Sequence, residues 1–227
     1  MDNTLASSII PLLPLAVLLI GLVLLVKQKQ IGWIAIMAAP FVEHFGSSFF
    51  GFFSFGFLYK SWVYQLAIII LGAWGYNQWK TSTTHTVIQG SQSDILDDFG
   101  TETRTTAIHR TTSIEKRQLL IAFCSFSALL GLYEYFFRFG QLLYLEPLIA
   151  AFTLSDILFL TGIYALSKHN IEGWPILISA SVLSLGTEFF VYIEDSPFQL
   201  SQGIDFAQLM IASWGYTKWE KHTSYSN

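Results

Sequence analysis

The sequence predicts an all-α integral membrane protein of seven transmembrane helices, arranged as a 3+1+3 parallel internal repeat. Three observations predict it. Of 227 residues, 52% are hydrophobic and 12% are charged, against about 25% charged in ordinary soluble domains. The charges lie between seven apolar runs, each near the ~20 residues a helical span needs. And six of the seven tryptophans follow one ruler: Trp33, Trp74 and Trp79 recur as Trp174, Trp214 and Trp219, at offsets of 141, 140 and 140.

The runs are taken in order, at about 8–26, 31–52, 60–79, 118–137, 148–167, 172–193 and 199–218. The first resembles a signal peptide only in length. Asp2 is the one charge before Lys27, and Lys27-Gln28-Lys29-Gln30 follows where a small-residue cleavage site would stand. The second contains Pro40 and Gly46, so a kink is expected there, tolerated where neighbouring helices satisfy the freed backbone groups. After the third run, residues 81–117 are rich in Thr, Ser, Asp and Arg without periodicity, and read as a polar connector. His85 and His109 lie in it without ligand spacing, so no metal or other cofactor is expected. The fourth run holds the single cysteine, Cys124, which has no partner for an internal disulfide.

The duplication reaches beyond tryptophan. Gly21, Leu25, Lys27 and Gly32 match Gly162, Leu166, Lys168 and Gly173 at offset 141. Ser61, Ala67, Gly75 and Tyr76 match Ser201, Ala207, Gly215 and Tyr216 at offset 140. Spans 1–3 thus correspond to spans 5–7. Three intervening spans keep the copies in the same orientation, so they are related by an axis along the membrane normal. The expected organisation is repeat 1 over 1–80, a cytoplasmic connector over 81–117, a linker span over 118–147, and repeat 2 with a short tail over 148–227. Two parallel repeats in an apolar chain suggest a transporter with its site between them.

Lysine and arginine near span ends set the orientation. Lys27, Lys29, Lys80, Lys116, Arg117, Lys168, Lys218 and Lys221 fall on one side; Lys60 and Arg138 fall on the other, offset by Glu146, Glu194 and Asp195. The N-terminus is therefore expected outside and the C-terminus in the cytoplasm. On that reading Trp33, Trp79, Trp174 and Trp219 stand near the cytoplasmic span ends, where tryptophans mark membrane interfaces.

Ionisable groups inside spans cost ~2.5–3.5 kcal/mol on insertion scales and are candidates for function. Glu43 and His44 lie near the middle of span 2, with Ser47 and Ser48 one turn on. Ser181, Ser184 and Glu188 share a face of span 6. Gln65 in span 3 is equivalent by the repeat to Asp205 in span 7, with Gln208 three residues further. The candidate substrate-binding residues are Glu43, His44, Gln65, Ser184, Glu188, Asp205 and Gln208. For each there is a structural reading: a Glu–His pair satisfied in the core, serines bonding their own helix, Asp205 at a solvated helix end. Glu134 and Arg138, one turn apart, read first as an ion pair.

With Gly75-Tyr76-Asn77-Gln78-Trp79, Gly215-Tyr216-Thr217-Lys218-Trp219 and Lys168-His169-Asn170-Ile171-Glu172-Gly173-Trp174, the chain resembles the PnuC vitamin transporters, over spans 1–3 and 5–7. The motif residues are Gly75, Tyr76, Trp79, Trp174, Gly215, Tyr216 and Trp219, and Gln65 stands where that family often has glutamine. The resemblance implies a SWEET-like architecture and passive uptake of nicotinamide riboside, with relatives that carry thiamine, riboflavin or deoxynucleosides. It also implies trapping of the substrate by a cytoplasmic kinase. The chain departs from the family at Gly173, where Asn is usual, and at Ser181, where Asn or Asp is usual.

The function expected is facilitated uptake of a vitamin-like small molecule across the bacterial inner membrane. The partners expected are that substrate and the lipid bilayer, with homo-oligomerisation open. A net charge of −4 speaks against nucleic acid. A seven-span receptor or photosensor is the alternative, but span 7 holds no lysine before Lys218 for a retinal Schiff base. An intramembrane enzyme would want paired catalytic groups, and neither HExxH, GxSxG nor GxxxxGK[ST] occurs.

Overall fold

A computed structural model describes residues 13–50, 62–90, 113–137, 147–192 and 200–224. They form seven helices: α1 (Leu13–Val26), α2 (Ile31–Phe50), α3 (Trp62–Gly90), α4 (Ser113–Phe137), α5 (Pro147–Ser167), α6 (Gly173–Tyr192) and α7 (Leu200–Ser224). No strand is present among the described residues. Each helix follows from a long run of apolar residues with no backbone partner but its own; helices satisfy their own backbone, which a bilayer requires. One described window, Ala150–Ser167, is long and apolar enough to cross a membrane on its own, while Leu13–Val26 and Ile31–Glu43 are shorter apolar helices.

One sequence expectation changes. The connector expected over 81–117 is helical at both ends, because α3 continues to Gly90 and α4 begins at Ser113. Hydropathy marks where a helix leaves the apolar medium; it does not mark where the i→i−4 hydrogen-bond ladder stops. α2 carries Pro40 within its helical span.

Packing builds a ring. α1 packs on α2 and α2 on α3; α5 packs on α6 and α6 on α7. The halves join where α3 meets α5 and where α7 meets α1, two junctions that the repeat makes equivalent. α4 stands outside this ring, packed mainly on α5. The first two helices of each repeat approach closely. A Cβ added at Gly21 would lie 2.8 Å from Ile36, and one added at Gly162 would lie 2.8 Å from Leu177. Ile36 and Leu177 are themselves equivalent positions, both fully buried.

The turns after α1 and α5 are copies of each other too. Gln28 and His169 both take left-handed backbone, at φ 55° and 58°. Around them Lys29 N–H donates to Leu24 C=O and Gln28 N–H to Leu25 C=O. Asn170 N–H and His169 N–H donate in the same way to Ala165 C=O and Leu166 C=O. This 6→1 and 5→2 pairing is a Schellman cap, which satisfies helix-end carbonyls and reverses the chain. Neither left-handed residue is glycine. In the second copy Asn170 Oδ1 also accepts from Glu172 N–H at 3.0 Å, which leads the chain into α6.

Candidate functional site

Two layers occupy the ring, and the tryptophans form the first. Trp33 meets Trp79 edge-to-face, with ring centroids 5.8 Å apart and planes at 80°; Trp174 meets Trp219 at 5.5 Å and 88°. Trp79 and Trp219, one from each repeat, meet at 6.1 Å. The four rings thus make one chain across the junction. Each inner ring also bonds the opposite repeat: Trp79 Nε1–H donates to Leu166 C=O at the end of α5, and Trp219 Nε1–H donates to Val26 C=O at the end of α1. Helix-end carbonyls have no partner within their own helix, so each third helix caps the first helix of the other copy. Glycine makes room for this. A Cβ at Gly75 would lie 2.6 Å from the Trp33 ring, and one at Gly215 would lie 2.6 Å from Trp174.

This corrects the reading of these four residues as interface markers. Trp33, Trp174 and Trp219 are wholly buried and Trp79 is 2% exposed. Among the tryptophans with described side chains, Trp74 and Trp214 lie nearer the surface. Trp74 packs on Tyr164 at 5.0 Å, with the Lys168 ammonium 5.7 Å from its ring. Trp214 is exposed, with Lys218 at the same distance. Val23 stands where repeat 2 has Tyr164, so Trp214 has no equivalent ring to pack on.

The second layer is polar. Glu43 and Ser184 each lie ten residues past the first tryptophan of their repeat. Gln65 and Asp205 each lie ten residues before the motif glycine. At 1.5 Å per residue both offsets place the pairs about 15 Å from the tryptophan layer, roughly half the ~30 Å hydrocarbon thickness. In repeat 1, Gln65 Nε2–H donates to Glu43 Oε2 at 3.3 Å. In repeat 2, Ser184 Oγ–H donates to Asp205 Oδ2 at 2.5 Å. The same two positions bond in both copies with the chemistry exchanged: the carboxylate is on α2 in the first and on α7 in the second. Glu43 is buried, while Gln65, Ser184 and Asp205 are half-buried.

Glu188 is half-buried on α6, one turn beyond Ser184, and Gln208 is half-buried on α7. Ser181 is buried and donates to Leu177 C=O in its own helix, the structural outcome usual for serine in a membrane helix. The side chains of His44, Ser47, Ser48 and Glu134 lie outside the described residues, as does Arg138. Sequence reasoning passed over Asp156, half-buried on α5, and Gln202, buried on α7. An ionisable or amide group inside an apolar run was the signal for both, as it was for Glu43. It also passed over His169, which stacks on Trp79 at 4.5 Å and 21°; only its left-handed turn, invisible in composition, puts it there. No group of three or more metal-ligating side chains occurs among the described residues.

Two equivalent helix triads, a buried aromatic layer and an uneven polar layer near mid-membrane are the parts of a carrier. The family model described as nicotinamide mononucleotide transporter matches residues 8–221. The chain belongs to that family. Its members are transporters, not enzymes, and the seven-helix membrane fold follows with membership. A solved structure described as the vitamin B3 transporter PnuC has the same fold. The TM-score is 0.63 at 10% identity, over 97% of this chain and 84% of that one. At that identity the likeness shows architecture alone. No curated protein matches the chain. As a member of the nicotinamide mononucleotide transporter family, it is a multi-pass membrane protein that takes a small-molecule substrate.

Proposed function

We propose that the chain mediates facilitated uptake of a flat, cationic vitamin precursor, nicotinamide riboside first, with thiamine as the nearest competitor. The observation that carries the reading is the pair of equivalent hydrogen bonds, Glu43–Gln65 and Ser184–Asp205, at mid-membrane depth. Inverted chemistry at matched positions gives the site two carboxylates on opposite repeats and two uncharged partners. A pyridinium or thiazolium ring gains from carboxylates in a low-dielectric site. A phosphomonoester loses there, so the riboside fits better than the mononucleotide of the family's description. Glu188 and Gln208 extend the polar surface on α6 and α7, and His44, next to Glu43 in sequence, is a further candidate. Uptake runs from the Lys60/Arg138 side to the lysine-rich side, with the N-terminus outside the bacterial inner membrane. A cytoplasmic kinase then retains the product by phosphorylation.

The test is uptake of labelled nicotinamide riboside, its 5′-phosphate and thiamine into cells lacking their own carriers. The riboside should enter above the empty-vector rate and be competed by unlabelled riboside, with the mononucleotide excluded. Preferred entry of the mononucleotide would overturn the charge argument. Entry of none of the three, with protein present in the membrane, would overturn the substrate class.

A further inference from the structure

The linker helix opens a feature against repeat 2. A cavity of about 490 Å³ opens where α4 lies over α5 and α6, lined by Leu119, Leu158, Ile176 and Ser179, with Lys116 and Glu172 among its walls. Lys116 lies in the first turn of α4 and Glu172 immediately precedes α6, so both charges stand at the lysine-rich end. Leu158 lies nine residues before the end of α5, about 14 Å deeper. The cavity therefore runs from headgroup level to about half the ~30 Å hydrocarbon thickness. On α4 the adjoining Leu120 and Ile121 are exposed, at 62% and 56%, which sets the opening beside lipid-facing surface. No ion pair joins Lys116 to Glu172, and neither side chain has another charged partner among the described residues.

From this we infer a phospholipid site with a preference for phosphatidylethanolamine. One cation and one anion, held apart at the mouth of one apolar cavity, complement a zwitterionic headgroup. The lipid phosphate pairs with Lys116, and the ammonium donates to the Glu172 carboxylate. An acyl chain lies against Leu119, Leu158 and Ile176. Phosphatidylglycerol would satisfy Lys116 and leave Glu172 facing a like charge. Phosphatidylcholine would pair both charges, but its quaternary ammonium has no N–H to donate. Binding there would pin α4 against repeat 2, a role for the linker helix apart from carrying substrate.

Delipidated full-length protein is reconstituted into vesicles of equal parts phosphatidylethanolamine, phosphatidylglycerol and phosphatidylcholine, re-extracted, and its retained lipid weighed by native mass spectrometry. Phosphatidylethanolamine should be enriched about fivefold over either competitor, the scale of one interfacial charge. Glu172→Gln should shift retention toward phosphatidylglycerol, and Lys116→Gln should lower retention of both phosphate-bearing competitors and phosphatidylethanolamine alike. Ser179→Trp fills the cavity from an exposed position without touching either charge, and should expel the lipid from protein that still elutes as a single species. Retention in vesicle proportions would overturn the proposal, as would Ser179→Trp protein that keeps its phosphatidylethanolamine. A cross-link from Lys116 placing residues 91–112 or a second copy in the cavity would overturn it too.

Discussion

Repeat 1 and repeat 2 agree in how their helices are turned and packed and differ in the chemistry of their polar layer. The Schellman turns at Gln28 and His169 and the glycine contacts at Gly75 and Gly215 recur almost atom for atom, and the indole caps recur with the acceptor shifted by one residue, Leu166 for Trp79 and Val26, next to its equivalent Leu25, for Trp219. The polar layer recurs in position and inverts in chemistry: Glu43 with Gln65, Ser184 with Asp205. Helix packing tolerates few solutions, because small residues must face the rings that lie on them. A hydrogen bond between two positions tolerates either partner as donor, so after duplication that layer was free to diverge.

The largest expected effect breaks the agreement. Gly75→Val and Gly215→Val each put atoms where the Trp33 and Trp174 rings already stand at 2.6 Å. Overpacking of a filled core costs about 1–3 kcal/mol for added methylenes, and here the clash is with rigid rings on both sides of a helix crossing. Both variants should lose most of the monodisperse protein recovered after extraction, and by similar amounts. A folded Gly215→Val alongside a lost Gly75→Val would show that the two copies are packed less alike than their contacts indicate.

How far the molecule could be read in advance follows the same divide. The copied parts were legible: offsets of 140 and 141 found the corresponding helices, and apolar runs placed α2, α5 and α6 nearly to their ends. The ends of α3 and α7 were not, since Gly90 and Ser224 lie well past the apolar runs and only backbone geometry carries those helices on. The meaning of Trp79 and Trp219 was also hidden. A tryptophan near a span end looks the same in sequence whether it faces headgroups or caps a carbonyl of the opposite repeat. Gln65 and Asp205 could be paired by arithmetic, but their bonds to Glu43 and Ser184 depend on how α2 turns against α3 and α6 against α7, which periodicity alone does not fix.

The next effect sharpens the difference. Glu43→Gln and Asp205→Asn each remove one charge while keeping an acceptor for Gln65 or Ser184. Hydrogen bonds to charged groups are worth ~1.5–3 kcal/mol, so uptake of the proposed cationic substrate should fall by about tenfold or more in each. The exchange Glu43→Ser with Gln65→Asp writes the repeat 2 pair into repeat 1. It restores a carboxylate and a donor on adjoining helices, and should transport better than Glu43→Ser alone. If the double variant is no better than the single one, the carboxylate must stand on α2 for reasons the matched bonds do not contain, and the inversion would lose its functional meaning.

The smallest effect separates the tryptophans. Trp79→Phe and Trp219→Phe keep a ring in the chain and delete one cross-repeat N–H···O bond each. Intramembrane hydrogen bonds average about 0.6 kcal/mol, so both variants should unfold slightly more easily. Trp79→Phe should be the more affected, because its larger ring also stacks on His169 at 4.5 Å. Trp74→Ala should cost more than Trp214→Ala, since Trp74 loses Tyr164 and Trp214 loses only an exposed lysine contact. The order Trp74→Ala above Trp214→Ala tests whether the environment set by Val23 and Tyr164 outweighs the shared motif. If Trp214→Ala were the costlier change, the exposed ring would have to be holding something other than its own repeat.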